Sequence, residues 1–312
     1  RDLPKYEVSI GHSYERVMPG PDYIESISSY PRVYSGINQK SADDVESFLN
    51  TIIDTKKCRL TRLSNTNATE MAKVLENSYR AMNISFIVEW SRFAEEAKVD
   101  LFDIVDAIKV RKTHNNMMYP GIGVGGYCLT KDPLLASWSK KKIFKSKTNL
   151  EMSVQSVSIN DQMPIFAYNR LTEVFGTIKG MNILFLGVSY RGDVGDTRFS
   201  PVEGLFKLVE KEASAVFLHD PFIDYWQEQD CKVSSDLASL LSYNLDLIIV
   251  STGHSLYHKP ETIKMLMESP KLKIYDTIGL FDKNQVMKLQ TKHNLEVLGR
   301  GDLNLKMEQI IK

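Results

Sequence analysis

Hydrophobic and polar positions divide the chain into stretches with different periodicities. From residue 68 to about residue 98, apolar side chains recur mostly at three- and four-residue steps, and neither Gly nor Pro interrupts them. This pattern predicts one helix of ~30 residues, which at about 1.5 Å per residue could join two domains. After residue 164, short apolar runs alternate with helical stretches, a pattern typical of a parallel sheet covered on both faces. The predicted strands are 181–188, 215–218, 245–251, 273–275 and 295–298, and helices are predicted at 202–211 and 261–268.

The first sixty residues indicate short strands and one helix. Runs at 6–10, 32–34 and 57–63 predict strands, and Ser41 with Asp44 forms a candidate capping box for the helix between them. This piece resembles the end of an α/β domain whose beginning is absent. We therefore predict an α/β protein in three parts: a partial N-terminal α/β remnant (1–64), a central helical domain with one long helix (65–160) and a C-terminal Rossmann-like, doubly wound parallel sheet (161–312).

Composition and charge exclude several classes of function. Lys plus Arg and Asp plus Glu both total 39, so no net charge attracts nucleic acid or an anionic membrane. A lysine run at 140–147 is interpreted as a solvated helix end. No apolar run reaches the roughly 18 residues of a membrane span, and the N-terminus lacks a signal-peptide pattern. Three widely spaced cysteines do not suggest a disulfide framework, so we expect a cytoplasmic protein, and we predict no metal site.

One cysteine stands in a chemically suggestive context. A free cysteine is most often simply buried. Cys128, however, follows Gly125 and Gly126, which let backbone approach a ligand closely, and it precedes Lys131 and a helix that we predict to begin at Asp132 as N-cap with Pro133 in its first turn. Lysine and a helix start both favour thiolate over thiol, so Cys128 could attack an aldehyde and form a thiohemiacetal.

The long helix offers a second candidate group. Lys73 and Asn77 lie one turn apart and share a face, so they could stabilise an oxyanion in a cleft; a solvated helix face is the alternative interpretation. Asp132 has two interpretations as well, a helix cap or a carboxylate that activates water four residues from Cys128. Asp100, followed by Asp103 three residues later, is a candidate N-cap and predicts the start of a further helix.

A strand running into a glycine turn, at 184–193, is a weak phosphate signal because it is not a GxGxxG motif. Asp220, at the end of the next strand, comes later than the ~20 residues expected for a ribose ligand of a dinucleotide. These features permit a nucleotide half-site and do not establish a dinucleotide site.

Five segments in one order resemble the UDP-glucose/GDP-mannose dehydrogenase family. They are Tyr14-Glu-Arg-Val-Met-Pro-Gly20, Glu70-Met-Ala-Lys-Val-Leu-Glu-Asn77, Gly123-Val-Gly-Gly-Tyr-Cys-Leu-Thr-Lys-Asp-Pro133, Asn160-Asp-Gln-Met-Pro164 and Gly187-Val-Ser-Tyr-Arg-Gly-Asp-Val-Gly-Asp-Thr-Arg198. Each is moderately specific alone, and the five in register are very specific. The resemblance implies oxidation of a sugar C6 alcohol to a carboxylate in two hydride transfers, with NAD as cofactor and a homodimer built on the long helix.

The resemblance also assigns roles to individual residues. Cys128 would trap the aldehyde and become the thioester, and Lys73 would stabilise the oxyanion with Asn77 beside it. Asp132 would assist the hydrolytic water, and Glu15 would act as an acid/base or water-positioning group. The substrate would contact Arg16, Tyr119, Gly121, Gly123, Val124, Gly125, Gly126, Tyr190 and Arg191, and the cofactor would contact Lys131 and Arg198.

The sequence departs from the family pattern in two places. The family begins with an NAD-binding domain that carries GxGxxG, and no such domain appears in this sequence. We therefore interpret the chain as a fragment or as lacking its leading part, with residues 1–64 as the remnant of that domain, and we expect the chain alone to be inactive. Ile278 stands where many members have a substrate-site arginine. Val124 occupies a loop position that is Phe in UDP-glucose enzymes and often Val in UDP-N-acetylhexosamine enzymes, so we predict UDP-N-acetylmannosamine or another UDP-HexNAc as substrate, although Lys131 and Asp132 resemble the UDP-glucose group.

Other functions stay open on the sequence alone. UDP-glucose 6-dehydrogenase is the alternative substrate assignment. An inactive module that binds UDP-sugars or dimerises is the alternative of another class, since a cofactor domain is not apparent. A cysteine hydrolase would need a histidine paired with Cys128, and none of the six histidines stands in a recognisable partner motif.

Overall fold

A computed structural model describes residues 8–303, which divide into two compact units, one up to Asn77 and one from Ser78 onward. The helices are α1 (Tyr23–Ser29), α2 (Gln39–Ile52), α3 (Thr66–Ala97), α4 (Leu101–Lys109), α5 (Tyr127–Lys142), α6 (Glu151–Asp161), α7 (Met163–Phe175), α8 (Val202–Glu210), α9 (Leu237–Leu241), α10 (Pro260–Glu268) and α11 (Lys283–Gln290). The strands are β1 (Gly11–Ser13), β2 (Arg32–Gly36), β3 (Leu60–Arg62), β4 (Asn182–Leu186), β5 (Ala215–His219), β6 (Tyr225–Trp226), β7 (Cys231–Lys232), β8 (Leu247–Val250), β9 (Lys273–Asp276) and β10 (Asn294–Val297).

The first unit holds a three-stranded sheet in the order β1-β2-β3, in which β1 is antiparallel and β3 parallel to β2. Helix α2 packs on it through a small core that includes Leu49 and Ile53. Two predictions for this unit are wrong. The helix is capped by Asn38, whose side chain accepts from the Ser41 N–H, because Asn38 has the extended backbone that a cap requires. An additional helix, α1, occupies a stretch in which only one helix was expected.

The strand predicted at 6–10 falls partly outside the described residues. Residues 8–10 are not in a strand, and pairing with β2 begins at Gly11, which lies opposite Gly36. The strand predicted at 57–63 shortens to β3. Glycine is required at Gly11, which pairs with Gly36, because a Cβ there would lie only 2.7 Å from the Ser35 carbonyl oxygen.

The long helix α3 is confirmed almost to its predicted ends, and the division between the two units falls within it. In its second half, Ile87, Val88 and Ala94 are buried, while another face carries exposed aromatic rings. Helix α4 is capped as predicted: the Asp100 carboxylate accepts from the backbone N–H groups of Phe102 and Asp103.

The second unit contains a five-stranded sheet, all parallel, in the order β10-β9-β8-β4-β5. Its interior strand β4, which lies between β8 and β5, shows why the apolar runs are continuous. Ile183 and Phe185 face one core, and Leu184 and Leu186 face the other. Each fully buried side chain of this size contributes roughly 1.5–3 kcal/mol through apolar burial.

Helices cover both faces of this sheet, which confirms the predicted α/β, doubly wound architecture. Helices α7 and α8 supply one core, and α9, α10 and α11 supply the other. The chain passes from β4 to β5 on one side and later returns to β8 on the other. Loops after β4 and β8 therefore diverge at the carboxyl edge of the sheet, where ligands bind in folds of this kind.

The start of α5 corrects a further prediction. The helix begins at Tyr127, after Gly126 with φ of 78°, and Asp132 and Pro133 lie inside it. Asp132 is therefore not an N-cap. The short hairpin of β6 and β7 was not anticipated either. The three-part division at residues 64 and 160 stays a prediction.

Within residues 8–303, no helix is long and apolar enough to cross a membrane. The same part of the chain holds no group of three or more His, Cys, Asp or Glu side chains arranged to bind a metal ion.

Candidate active site

Cys128 lies in the first turn of α5, and its side chain is exposed. Gly126 ends the preceding loop in the left-handed region, which glycine adopts without the steric cost of a Cβ. The Thr130 hydroxyl donates to the Gly126 carbonyl oxygen at 2.8 Å and so fixes this turn. The first N–H groups of a helix lack intrahelical acceptors and stabilise negative charge, so an anion at Cys128 is placed favourably.

Asp132 follows one turn after Cys128, and i and i+4 residues lie on the same side of a helix. Its side chain is buried, and one carboxylate oxygen lies 2.5 Å from Lys131 Nζ. The hydrogen bond to Asp132 raises the pKa of Lys131, with burial opposing this rise and the charges of Asp132 and Cys128 adding to it. A nucleophile candidate, a buried carboxylate and a cation are thus gathered on one helix.

The glycine loop before α5 owes most of its glycines to packing within the protein. A Cβ on Gly125 would lie 2.6 Å from the Phe199 carbonyl oxygen, and one on Gly126 would lie 2.8 Å from the Tyr190 ring. Gly123 has φ of 115°. Gly121 alone among these four has open space where a Cβ would stand. The sequence suggested that these glycines let a ligand approach the backbone. At Gly125 and Gly126, the atoms that approach the backbone belong to the protein itself.

Tyr190 joins this cluster from the loop after β4. Its ring packs on Gly126, and its backbone N–H donates to the Asp196 carbonyl oxygen at 2.9 Å. Burial raises the pKa of the Tyr190 hydroxyl, with Asp196 and Cys128 adding to the rise. The structure therefore brings Tyr190 close to Cys128. Arg191 follows on the same loop and is exposed.

The loop that carries Tyr190 and Arg191 rests on Asp220, which is fully buried. Its carboxylate accepts from the backbone N–H groups of Val188 and Ser189 at 3.0 and 3.1 Å. Hydrogen bonds from His254 and the backbone hold the pKa of Asp220 below its usual value, although burial acts in the opposite direction. Asp220 is thus turned toward the protein and not toward a ribose.

A cleft of about 500 Å³ opens beside the start of α5. Val124, Lys131 and Lys207 line it together with Phe199, whose φ of 53° is unusual for a bulky side chain. The Phe199 ring packs against Tyr127, with ring centroids 5.5 Å apart. Of the predicted substrate and cofactor residues, Val124 and Lys131 therefore face this space.

Two residues predicted to contact the cofactor or the substrate, Arg198 and Tyr119, interact with carboxylates of the protein itself. Arg198 is largely exposed but pairs with Asp196, with Nη2 to Oδ2 at 2.7 Å. The Tyr119 hydroxyl donates to Asp106 at 2.5 Å, and that hydrogen bond, helped by burial, raises the tyrosine pKa. Lys109 Nζ lies 4.2 Å from the centre of the Tyr119 ring.

The first unit contains its own cluster of predicted residues. Lys73 Nζ donates to the Glu15 backbone carbonyl at 3.0 Å and lies 3.4 Å from its carboxylate. Arg16 is held by Glu76, with Nη2 to Oε2 at 3.0 Å, and also donates to the Pro31 carbonyl. Burial alone would lower the pKa of Arg16, and the contact with Glu76 raises it overall. Lys73 and Glu15, which the resemblance placed in one reaction, are neighbours here.

Asn77 follows Lys73 by one turn on α3, as the spacing predicted. The sequence did not indicate a role for Glu76 or for His254. Glu76 forms an ion pair with Arg16 and accepts a hydrogen bond from the Tyr14 hydroxyl at 3.0 Å, and His254 contacts Asp220. Glu76 stands inside the quoted 70–77 segment, so its place in that segment was the available signal. Nothing in the sequence around His254 indicated its role.

Comparison with known proteins adds an independent line of evidence. Residues 67–162 match the UDP-glucose/GDP-mannose dehydrogenase family, central domain, and residues 184–283 match the UDP binding domain of the same family. Together the two matches cover more than half of the chain. The UDP-N-acetyl-D-mannosamine dehydrogenase of Methanococcus vannielii is 29% identical over 96% of this chain and 67% of its own length.

Solved structures give the same picture. The UDP-D-ManNAc dehydrogenase from Pyrococcus horikoshii is 25% identical with a TM-score of 0.75, over 94% of this chain and 65% of that one. The NDP-N-acetyl-D-galactosaminuronic acid dehydrogenase from Methanosarcina mazei is also 25% identical, with a TM-score of 0.77, over 94% of this chain and 63% of that one. The chain spans about two thirds of the length of these relatives.

Proposed function

The chain belongs to the UDP-glucose/GDP-mannose dehydrogenase family. On that premise we propose that it is part of a nucleotide-sugar 6-dehydrogenase, which converts a C6 alcohol to a carboxylate through a covalent intermediate on Cys128. The observation that carries this proposal is the position of Cys128: exposed, in the first turn of a helix, one turn before a buried carboxylate and beside Tyr190. The free state of Cys58, Cys128 and Cys231 is compatible with a reducing cytoplasm.

The proposed chemistry at Cys128 has three stages, namely addition, oxidation and hydrolysis. The thiolate adds to the C6 aldehyde, forming a C–S bond, and the carbonyl oxygen takes up a proton to give a thiohemiacetal. Loss of the C6 hydride, for which NAD⁺ would be the acceptor, and of the hydroxyl proton gives the thioester. Water then adds to the thioester carbonyl, the C–S bond breaks, and the acid leaves with the thiol regenerated.

Asp132 is assigned to the hydrolytic step. It is buried, ion-paired with Lys131, and one helical turn from Cys128, so a water between the two could be hydrogen-bonded by the carboxylate. Lys73 with Asn77 is assigned to the developing oxyanion, and Glu15, which contacts Lys73, to orienting that lysine or a water.

Binding of the nucleotide sugar is assigned to the carboxyl edge of the parallel sheet. The family match at 184–283 is to a UDP binding domain, and the loop after β4 presents Tyr190 and Arg191 at that edge. An exposed guanidinium suits a diphosphate because its N–H groups can donate to two oxygens at once. The glycine loop at 121–126 and Arg16 complete the proposed substrate contacts.

NAD⁺ is the proposed cofactor, and when bound it would accept the hydride of each oxidation. The donor set fits an anionic dinucleotide: Lys131 is half-exposed beside Cys128, and Arg198 is largely exposed on the neighbouring loop. Their ion pairs with Asp132 and Asp196 orient both cations.

A UDP-N-acetylhexosamine, such as UDP-N-acetylmannosamine, is the proposed substrate, and UDP-glucose is the alternative. Val124 lines the cleft beside α5, and a side chain smaller than phenylalanine leaves room for an acetamido group there. The proteins named above from M. vannielii, P. horikoshii and M. mazei act, by their names, on N-acetylated sugars. An inactive UDP-sugar-binding module is the remaining candidate, favoured by the match of residues 184–283 to a UDP binding domain.

A homodimer through α3 is part of the proposal. Phe86, Trp90 and Phe93 form an exposed aromatic ladder, with centroids 6.0 and 5.9 Å apart. Apolar rings in such a row on one helix face are typical of a surface that another subunit covers.

The function is tested with full-length protein, UDP-N-acetylmannosamine and NAD⁺. Cys128→Ser should abolish formation of the acid, because an alcohol gives no thioester, and should leave UDP binding intact. Cys231→Ser is the matched control, since Cys231 lies in β7 and should leave turnover unchanged. Wild-type acid production by Cys128→Ser would overturn the covalent mechanism, and UDP binding without NADH formation by the unmodified protein would favour the inactive module.

A further inference from the structure

The loop from Gly187 to Asp193 carries Tyr190 and Arg191 and is held mainly through its backbone. The Gly187 N–H donates to the His219 carbonyl oxygen at 2.7 Å. Directly after β8, the Ser251 hydroxyl donates to the Gly187 carbonyl oxygen and the Thr252 hydroxyl to that of Ser189, each at 2.7 Å. These contacts fix the first half of the loop at the carboxyl edge of the sheet.

Asp220 is the centre of this arrangement. Its Oδ2 accepts three hydrogen bonds from the loop, from the N–H groups of Val188 and Ser189 and from the Ser189 hydroxyl at 3.0 Å. Its Oδ1 accepts from the Phe222 N–H at 3.0 Å. A fully buried carboxylate is stabilised in this way by several directed donors, and it holds two consecutive peptide groups in one orientation.

His254 extends the arrangement to the far end of the loop. It is fully buried, its Nε2 lies 3.0 Å from Asp220 Oδ2, and its Nδ1 lies 3.0 Å from the Asp193 N–H nitrogen. A backbone N–H can only donate, so Nδ1 accepts and the proton resides on Nε2, which donates to Asp220. Asp193 itself, at φ of 57°, accepts from the Ser255 N–H.

We propose that Asp220 and His254 are positioning residues for nucleotide binding, which clamp both ends of the 187–193 loop and so present Tyr190 and Arg191 to the diphosphate. The inference rests on the proposed function, because it takes UDP as the ligand of this edge. Both side chains are themselves fully buried, and His254 also packs against the Phe222 and Tyr257 rings, with centroids 5.4 and 5.5 Å away. Of the hydrogen bonds to the Asp220 carboxylate, only that from the Phe222 N–H comes from outside the loop and His254, which is the pattern expected of a group that shapes one loop.

Asparagine and glutamine separate the two halves of the clamp. In His254→Gln an amide N–H can replace Nε2–H toward Asp220, while the acceptor for Asp193 is lost. In His254→Asn an amide oxygen can replace Nδ1 toward Asp193, while the donor to Asp220 is lost. Asp220→Asn removes the charge that all of these donors share.

His293 supplies a matched control. It too is a buried histidine with both nitrogens engaged, accepting from the Leu272 N–H at 3.2 Å and donating to the Leu266 carbonyl at 2.9 Å. It precedes β10 and therefore lies at the opposite, amino edge of the same sheet. Equivalent substitutions there test loss of a buried histidine without touching the 187–193 loop.

Calorimetric titration with UDP separates positioning from folding, because misfolded protein lowers the binding stoichiometry whereas a misplaced loop raises Kd. We expect Asp220→Asn and both His254 variants to raise Kd roughly 10- to 100-fold at unchanged stoichiometry. The two His293 variants should leave Kd within about two-fold. Clamp variants with wild-type Kd, or with reduced stoichiometry alone, would overturn the inference.

A second measurement stands apart from the ligand. Hydrogen exchange of the amides of Val188, Ser189 and Asp193 should accelerate in the clamp variants and not in the His293 variants. Absence of UDP binding by the unmodified chain would count against the proposed function, while unchanged exchange in the clamp variants would count against the clamp.

Discussion

Replacing Gly125 by Ala tests whether the glycine loop is shaped by the protein or by a ligand. The new Cβ would lie 2.6 Å from the Phe199 carbonyl oxygen, 2.7 Å from Tyr190 Cβ and 2.8 Å from Pro201 Cδ. None of these atoms is the end of a flexible side chain, so the loop itself must shift. Overpacking of this kind costs about 1–3 kcal/mol. For a unit of this size, that lowers Tm by roughly 2–12 °C.

Gly121→Ala is the matched control. No atom lies within 4 Å of the Cβ position, and Gly121 does not have a positive φ, so alanine should be neutral or should stabilise by about 0.4–1 kcal/mol through the unfolded state. All three tryptophans lie in the second unit, so thermal unfolding followed by tryptophan fluorescence reports on that unit. Equal losses of stability in the two variants would refute the packing argument.

Three further outcomes follow from named groups. Burial raises the pKa of Glu296 to about 7; Arg170 opposes this rise and Glu95 adds to it. The contribution of Glu296 to the free energy of unfolding is therefore fully present below about pH 4.5. It should be lost as pH rises toward 7, by at most about 3 kcal/mol. Urea unfolding across that range should show the slope, and Glu296→Gln should flatten it. Trp90→Glu should convert a sedimenting dimer to monomer at micromolar concentration, since it places charge in the aromatic ladder; an unchanged sedimentation coefficient would count against that interface. Lys73→Met should lower kcat of full-length enzyme about 10²- to 10³-fold, and a change confined to KM would exclude the oxyanion role.

Hydrophobic periodicity predicted the regular part of the fold well. The five parallel strands and the long α3 follow from their apolar patterns, because buried strands and amphipathic helices differ in period and length. The nucleotide edge was also foreseeable, since strand–turn–helix order brings the ends of β4 and β8 to one side of the sheet. These are properties that neighbouring residues largely determine among themselves.

Contacts between distant residues escaped the sequence. The Asp220–His254 pair joins residues 34 positions apart, and its geometry exists only after β5 and β8 have docked on β4. The sequence predicted Ser41 as the helix cap, whereas the structure has Asn38. Several polar residues in succession can all serve as caps, so the pattern alone did not distinguish them. Turn and cap assignments depend on backbone angles that a residue type favours but does not determine.

The misplaced start of α5 changes the chemistry assigned to it. Had the helix begun at Asp132, Cys128 would precede it by a full turn, and the relative direction of thiol and carboxylate would be undefined. With the helix beginning at Tyr127, the four-residue spacing places Cys128 and Asp132 on one side with a rise of about 6 Å between them. Side chains four residues apart on a helix are neighbours, so a water held by the Asp132 carboxylate could lie next to the Cys128 sulfur. The proposed delivery of water to the thioester by Asp132 depends on this placement, because only a helix that begins before Cys128 holds the two side chains on one side.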